Sequence, residues 1–155
     1  MYSQLLTLLQ ARSFTLATAE SCTGGAVSAA VTDIAGISQV YNGGVVSYSN
    51  EAKMNLLKVP ENILMQYGAV SEECAGFMAK GAAAALQSTC AISTTGIAGP
   101  TGAVPGKPVG TVCIGYFING RLYTETNHFG GDRHAVRQAA LHRAMTRLIE
   151  LLQNM

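Results

Sequence analysis

Apolar positions along the chain follow two periods, and the switches between them lay out the elements. Ser3 to Ala11 is amphipathic at helical spacing and leads into Phe14-Thr15-Leu16-Ala17-Thr18, a β-type run ending at the small polar group Glu20-Ser21-Cys22-Thr23-Gly24-Gly25. Small apolar residues return at helical spacing from Ala26 to Ile34, and Gly36 stops them, so the region reads as strand, turn, helix. Val40 to Ser49 is strand-like through Gly43-Gly44-Val45-Val46; Asn50-Glu51-Ala52-Lys53 starts a helix capped by Ser49 or Asn50, and Pro60 opens another. Ser71 caps an alanine-rich helix, Glu72 to Leu86, whose first turn carries Glu72 and Glu73 where the helix dipole favours them.

Ala91 to Thr94 is a short buried strand running into a second glycine-rich loop, Gly96-Ile97-Ala98-Gly99-Pro100-Thr101-Gly102, which extends to Pro108. Val109 to Ile118 and Arg121 to Phe129 flank Asn119-Gly120, a hairpin signal that makes them antiparallel neighbours. Asp132 then caps a final helix with Val136, Ala140, Ala144, Leu148 and Leu152 on one face and Arg133, Arg137, Arg143 and Arg147 on another. Helices with a single apolar stripe need a sheet to cover, so the alternation predicts an α/β fold, a three-layer α/β/α sandwich with a mixed sheet. The 155 residues read as one domain, 1–155, without repeat or linker.

Composition narrows the function classes. Charged residues are 12% of the chain, about half the roughly 25% of an average soluble domain, and 48% are hydrophobic, which excludes a disordered chain. Ten Lys+Arg against nine Asp+Glu leave a net charge of +1, too little for a field that would hold nucleic acid or an anionic membrane. No apolar run reaches the ~18 to 20 residues of a membrane helix, and Met1 to Arg12 has no basic signal region, so the expectation is a soluble, cytoplasmic protein. The scarcity of charge also predicts shared apolar surface, hence a homodimer or higher homo-oligomer. Cys22, Cys74, Cys90 and Cys113 are too far apart for a CxxC pair and read as small core residues of a reducing compartment. Cys22 alone stays open, as a thiol nucleophile or redox switch, because of its neighbours.

Four stretches could carry chemistry. Thr18 to Gly25 passes from a strand end into a helix N-terminus, where unpaired N–H groups and the dipole suit an anion; the plainer alternative is a helix cap with glycines for a tight turn. Between Gly36 and Lys53 lie a hydroxyl (Ser38), a phenol (Tyr48) and an amine. Serine needs a base, and a lysine serves only if neutral near pH 7, which means moving its pKa from about 10.4 to about 7.5 at a cost on the order of 4 kcal/mol. A helix dipole supplies roughly 0.3 to 1 kcal/mol of that, so burial must supply the rest; spacing alone favours reading Lys53 as a solvated surface residue instead. The loops Thr94 to Pro100 and Gly130-Gly131-Asp132-Arg133 both fall at strand ends, and Arg133 with Arg137 either grips a phosphate or forms a solvated face.

The runs Ala19 to Gly25, Tyr48 to Lys53, Gly68 to Ser71, Thr95 to Pro100, Lys107 to Val112 and Gly131 to Arg133 together resemble the CinA C-terminal domain family in its stand-alone form, over about residue 5 to 152. The resemblance implies nicotinamide-nucleotide amidase activity: hydrolysis of nicotinamide mononucleotide to nicotinate mononucleotide and ammonia in pyridine nucleotide salvage, without metal or cofactor. It implies a serine, a tyrosine and a lysine as catalytic residues, matched by Ser38, Tyr48 and Lys53. Ala35-Gly36-Ile37-Ser38 departs from the two serines many relatives have after the glycine and keeps the second. Substrate contacts are expected from Ser21, Thr23, Gly24, Thr95, Gly96 and Arg133, with Ser21 a rival nucleophile at an exposed helix start. The competing class is a nucleotide-binding sensor or scaffold module without catalysis.

Overall fold

The computed structural model describes residues 1–155. A five-stranded mixed sheet is built from β1 (Leu16–Glu20), β2 (Tyr41–Val46), β3 (Cys90–Gly96), β4 (Thr111–Ile118) and β5 (Arg121–His128), in the order β2-β1-β3-β4-β5. β1 runs parallel to both β2 and β3, whereas β4 is antiparallel to β3 and β5. The helices are α1 (Gln4–Ala11), α2 (Ala26–Thr32), α3 (Asn50–Leu57), α4 (Glu61–Tyr67), α5 (Glu72–Ala85) and α6 (Arg133–Gln153). The sequence expectation of a three-layer α/β/α sandwich holds, and the Asn119-Gly120 hairpin forms where expected.

Side-chain alternation along the strands sorts the core into two layers. Leu16, Cys90, Ile92, Val112, Ile114, Tyr116 and Ile118 meet α1, α2 and α6 on one face. Ala17, Ala19 and Ala91 meet Leu57 of α3 and Cys74, Met78, Ala79 and Ala82 of α5 on the other. All five residues of the predicted α6 stripe are fully buried. Sequence boundaries shifted where strands end: the β2 region is narrower than Val40 to Ser49, because Ser47 to Ser49 turn away to enter α3.

The parallel strands set the geometry of everything that follows. The segments after β1, β2, β3 and β5 all leave from the same end of the sheet, so the Ser21 turn, the Ser47 to Asn50 segment, the Gly96 to Gly99 loop and the start of α6 share one rim. On the second face, α3 and α5 cross with almost no gap: a Cβ on Gly81 would lie 1.9 Å from the Leu57 carbonyl oxygen. Gly81→Ala must push the two helices apart, and overpacking of this kind costs on the order of 3 kcal/mol. For a chain of this size the expected reading in a thermal melt is a fall in Tm of roughly 5 to 10 °C.

Candidate active site

Lys53 has only 1% of its surface exposed, although it is a lysine near the start of a helix. The cause is helical spacing: Lys53 and Leu57 are the two buried residues of α3, one turn apart on the face that packs on the sheet. Ser49 caps α3 by accepting from the Ala52 N–H. Helical side chains lean towards the N-terminus, and the Lys53 Nζ accordingly reaches back to the Ser47 carbonyl oxygen at 2.8 Å. Its second partner is the Ser21 Oγ at 3.0 Å. No carboxylate lies within ion-pair distance of this amine.

Burial pushes the Lys53 ammonium below the usual lysine range. The neighbouring thiolates would oppose that shift if they formed, but burial pushes Cys22 up to about 12 and Cys74 up to about 11, so both are neutral at physiological pH. All four cysteines are buried. Cys22 lines the site as a protonated thiol, which removes it as a thiolate nucleophile.

Ser21 follows β1 directly, and strand alternation sends Ala17, Ala19 and Ser21 towards α3 and α5. Its side chain opens on a cavity lined also by Tyr48, Asn50, Lys53, Thr95, Gly96, Ala98 and Arg133. Wider grooves exist elsewhere, including one beside α5 lined by Tyr67, Phe77 and Leu122, but the lysine there, Lys80, is exposed. The backbone of the Ser21 turn is held from outside: Arg137 donates from Nε to the Cys22 carbonyl and from Nη2 to the Thr23 carbonyl, each at 3.1 Å. Neither Cys22 nor Thr23 donates its own N–H to a backbone carbonyl. In a trans peptide the N–H points opposite to the C=O, so the Thr23 N–H faces away from Arg137.

Several sequence expectations need correction. Ser38 does not approach Lys53: it is exposed in a short 3-10 turn, Ile37–Gln39, before β2, whereas Ser47 follows β2. The six residues of β2 separate the two ends by about 20 Å at ~3.3 Å per residue. Tyr48 stands at the mouth of the cavity, 64% exposed, and its hydroxyl accepts from Arg133 Nη2 at 3.2 Å rather than meeting the amine. Thr23 is fully buried, its hydroxyl donated to the Glu20 carboxylate and paired with Thr94, so it faces away from the cavity. Gly24 is exposed and lies outside the lining; its positive φ serves the turn. The anion site expected at the N-terminus of α2 is filled by the protein's own Glu20, which accepts from the N–H groups of Gly25, Val27 and Ser28.

Ser21, Thr95, Gly96 and Arg133 do line one cavity, although the Thr95 hydroxyl is already donated to the Ala69 carbonyl. Arg133 also donates to the Gly99 carbonyl at 2.7 Å, joining α6 to the second glycine loop. Sequence reasoning missed the parts played by Glu20 and Arg137. The alternation Thr18, Glu20 against Ala19, Ser21 carried a signal for the first, and nothing local carried one for the second.

The residues 1–152 match the family model described as the CinA C-terminal domain. The chain belongs to the CinA C-terminal domain family. Among solved structures it is similar to a CinA superfamily protein from Escherichia coli, with a TM-score of 0.94 and 38% identity, covering 97% of this chain and 87% of that one. A CinA superfamily protein from Klebsiella pneumoniae gives a TM-score of 0.95 and 38% identity, covering 99% and 96%. Nicotinamide-nucleotide amidohydrolase PncC from Enterobacter agglomerans is 48% identical over 148 residues, 94% of this chain and 90% of that protein's length. CinA-like proteins are longer: that of Kosmotoga olearia is 45% identical over 136 residues, 88% of this chain and 33% of its own length. The chain thus spans about a third of the length of such relatives.

A buried lysine with a depressed pKa penalises folding fully below its folded-state value, and the penalty fades as pH rises towards the unfolded value of about 10.4. Lys53→Met removes the titrating group. In urea melts across that window the stability of the native protein should rise with pH relative to the variant; a constant difference would show the amine to be ordinary.

Proposed function

We propose that the protein is an amidohydrolase that cleaves the carboxamide of nicotinamide mononucleotide, giving nicotinate mononucleotide and ammonia, with Ser21 as nucleophile and Lys53 as its base. The observation that carries the reading is the 3.0 Å approach of a buried lysine amine to a serine hydroxyl inside a cavity. The substrate class is supported by the nicotinamide-nucleotide amidohydrolase to which the chain is 48% identical over nearly its whole length.

In the proposed cycle neutral Lys53 takes the Ser21 hydroxyl proton as Oγ attacks the carboxamide carbon. The oxyanion of the tetrahedral intermediate is met by the N–H groups of Cys22 and Thr23, neither of which is donated to a backbone carbonyl. A single such donor is worth about 10² to 10³ in rate, which gives the Arg137 clamp on these peptides a catalytic consequence. The Lys53 ammonium returns the proton to the departing nitrogen, ammonia leaves, and an acyl-Ser21 ester remains. Water, deprotonated by Lys53, breaks that ester and restores the serine. The charged end of the nucleotide belongs at the mouth, where Arg133 and Tyr48 meet.

Purified protein should release ammonia from nicotinamide mononucleotide. Ser21→Ala and Lys53→Ala should each lower kcat by about 10³-fold or more. Ser38→Ala, at the far end of the sheet, should stay within about twofold of the parent if this assignment holds. Full activity in Ser21→Ala sinks the nucleophile, and binding without turnover points to a nucleotide-binding module. Activity should also rise with pH along a limb below the usual lysine value of about 10.4, because only the neutral amine accepts the proton. A profile flat from about pH 6 to 10 excludes the lysine base.

A further inference from the structure

Resting on the reading of Ser21 as nucleophile, we infer that Glu20 is a positioning residue for the reaction: its carboxylate, locked on the N-terminus of α2, sets the turn that holds Ser21 against Lys53. Glu20 is 1% exposed and has no ion-pair partner. It accepts five hydrogen bonds. Oε1 takes the Thr23 hydroxyl, the Gly25 N–H at 3.2 Å and the Val27 N–H at 2.8 Å. Oε2 takes the Ser28 N–H at 2.9 Å and its hydroxyl at 2.6 Å. All five donors stand within eight residues of Glu20 on its C-terminal side, so the carboxylate cinches the whole Ser21 to Ser28 segment.

A buried carboxylate without a cation is costly, and here the charge is balanced by oriented N–H groups and the positive end of the helix. The bonds continue outwards, since the Ser28 hydroxyl meets Thr18 Oγ1 at 2.7 Å, and Thr18 meets the Tyr41 hydroxyl at 2.7 Å. This chain lies over β2 at Gly44, where a Cβ would fall 2.1 Å from Thr18 Oγ1. Strand alternation does the rest: with Glu20 fixed on the α2 face, the next side chain must point to the α3 face, where Lys53 waits. The same occupancy denies that helix end to the substrate's phosphate.

The test is steady-state ammonia release with Glu20→Gln, which keeps the shape, removes the charge and turns an N–H donor onto a pocket in which three of the five groups are backbone N–H donors. The expected result is a kcat lowered about 10- to 100-fold with KM within about twofold, because a misplacement near 1 Å costs that much. The limb of the pH profile assigned to Lys53 should not move, since Glu20 acts by position. Thr89→Val removes the hydroxyl's hydrogen bonds with the Thr15 N–H, the Thr15 carbonyl and the Cys90 thiol at the opposite end of the sheet and serves as a stability control. A Glu20→Gln kcat within twofold of the parent, a shifted lysine limb, or an equal kcat loss in Thr89→Val would overturn the inference. If Glu20→Gln does not fold, Ser28→Ala, which deletes one hydroxyl donor to Oε2, carries the test: a severalfold lower kcat supports the role and an unchanged one rejects it. Full activity in Ser21→Ala would remove the underlying assignment itself, a result separable from failure of Glu20→Gln alone.

Discussion

The structure turns on one amine withdrawn from water. Lys53 sits where α3 would ordinarily place a leucine, and the fold accepts it because two oxygens, one from a backbone carbonyl and one from a serine, complete its surroundings. No carboxylate stabilises its charge and the nearby thiols are too deeply buried to ionise, so the environment favours the neutral form. The cost in folding energy is the same quantity that shifts the amine towards its unprotonated form.

The second constraint is the separation of two opposite needs at adjacent positions. Glu20 and Ser21 are neighbours in the chain, yet a strand sends them to opposite faces of the sheet. A carboxylate beside Lys53 would hold the ammonium and oppose the effect of burial; on the α2 side the same carboxylate is satisfied by backbone donors and does not approach the amine. The Ser21 turn is therefore gripped by Glu20 from within and by Arg137 through its carbonyls.

The site collects residues from four segments because the strands that deliver them run the same way. β1 brings Ser21, β2 and α3 bring Tyr48 and Lys53, β3 brings Thr95 and Gly96, and α6 brings Arg133. The direction of β2 also explains why Ser38 lies apart from Lys53 despite being near it in sequence: fifteen residues that traverse a strand deliver their ends to opposite rims.

Much of the fold was legible from local pattern. Period-2 and period-3.6 runs, the caps at Ser49, Ser71 and Asp132, and the Asn119-Gly120 turn each state their element within a few residues, because capping and turn geometry are short-range. The ordered motifs also named the family. Which hydroxyl meets Lys53, that Glu20 fills the helix end offered to an anion, and that Arg137 is consumed by the turn were decided only in three dimensions. These depend on strand direction, on which face a side chain takes at a strand's last residue, and on what packs above it, and all three are set by contacts between segments remote in the chain.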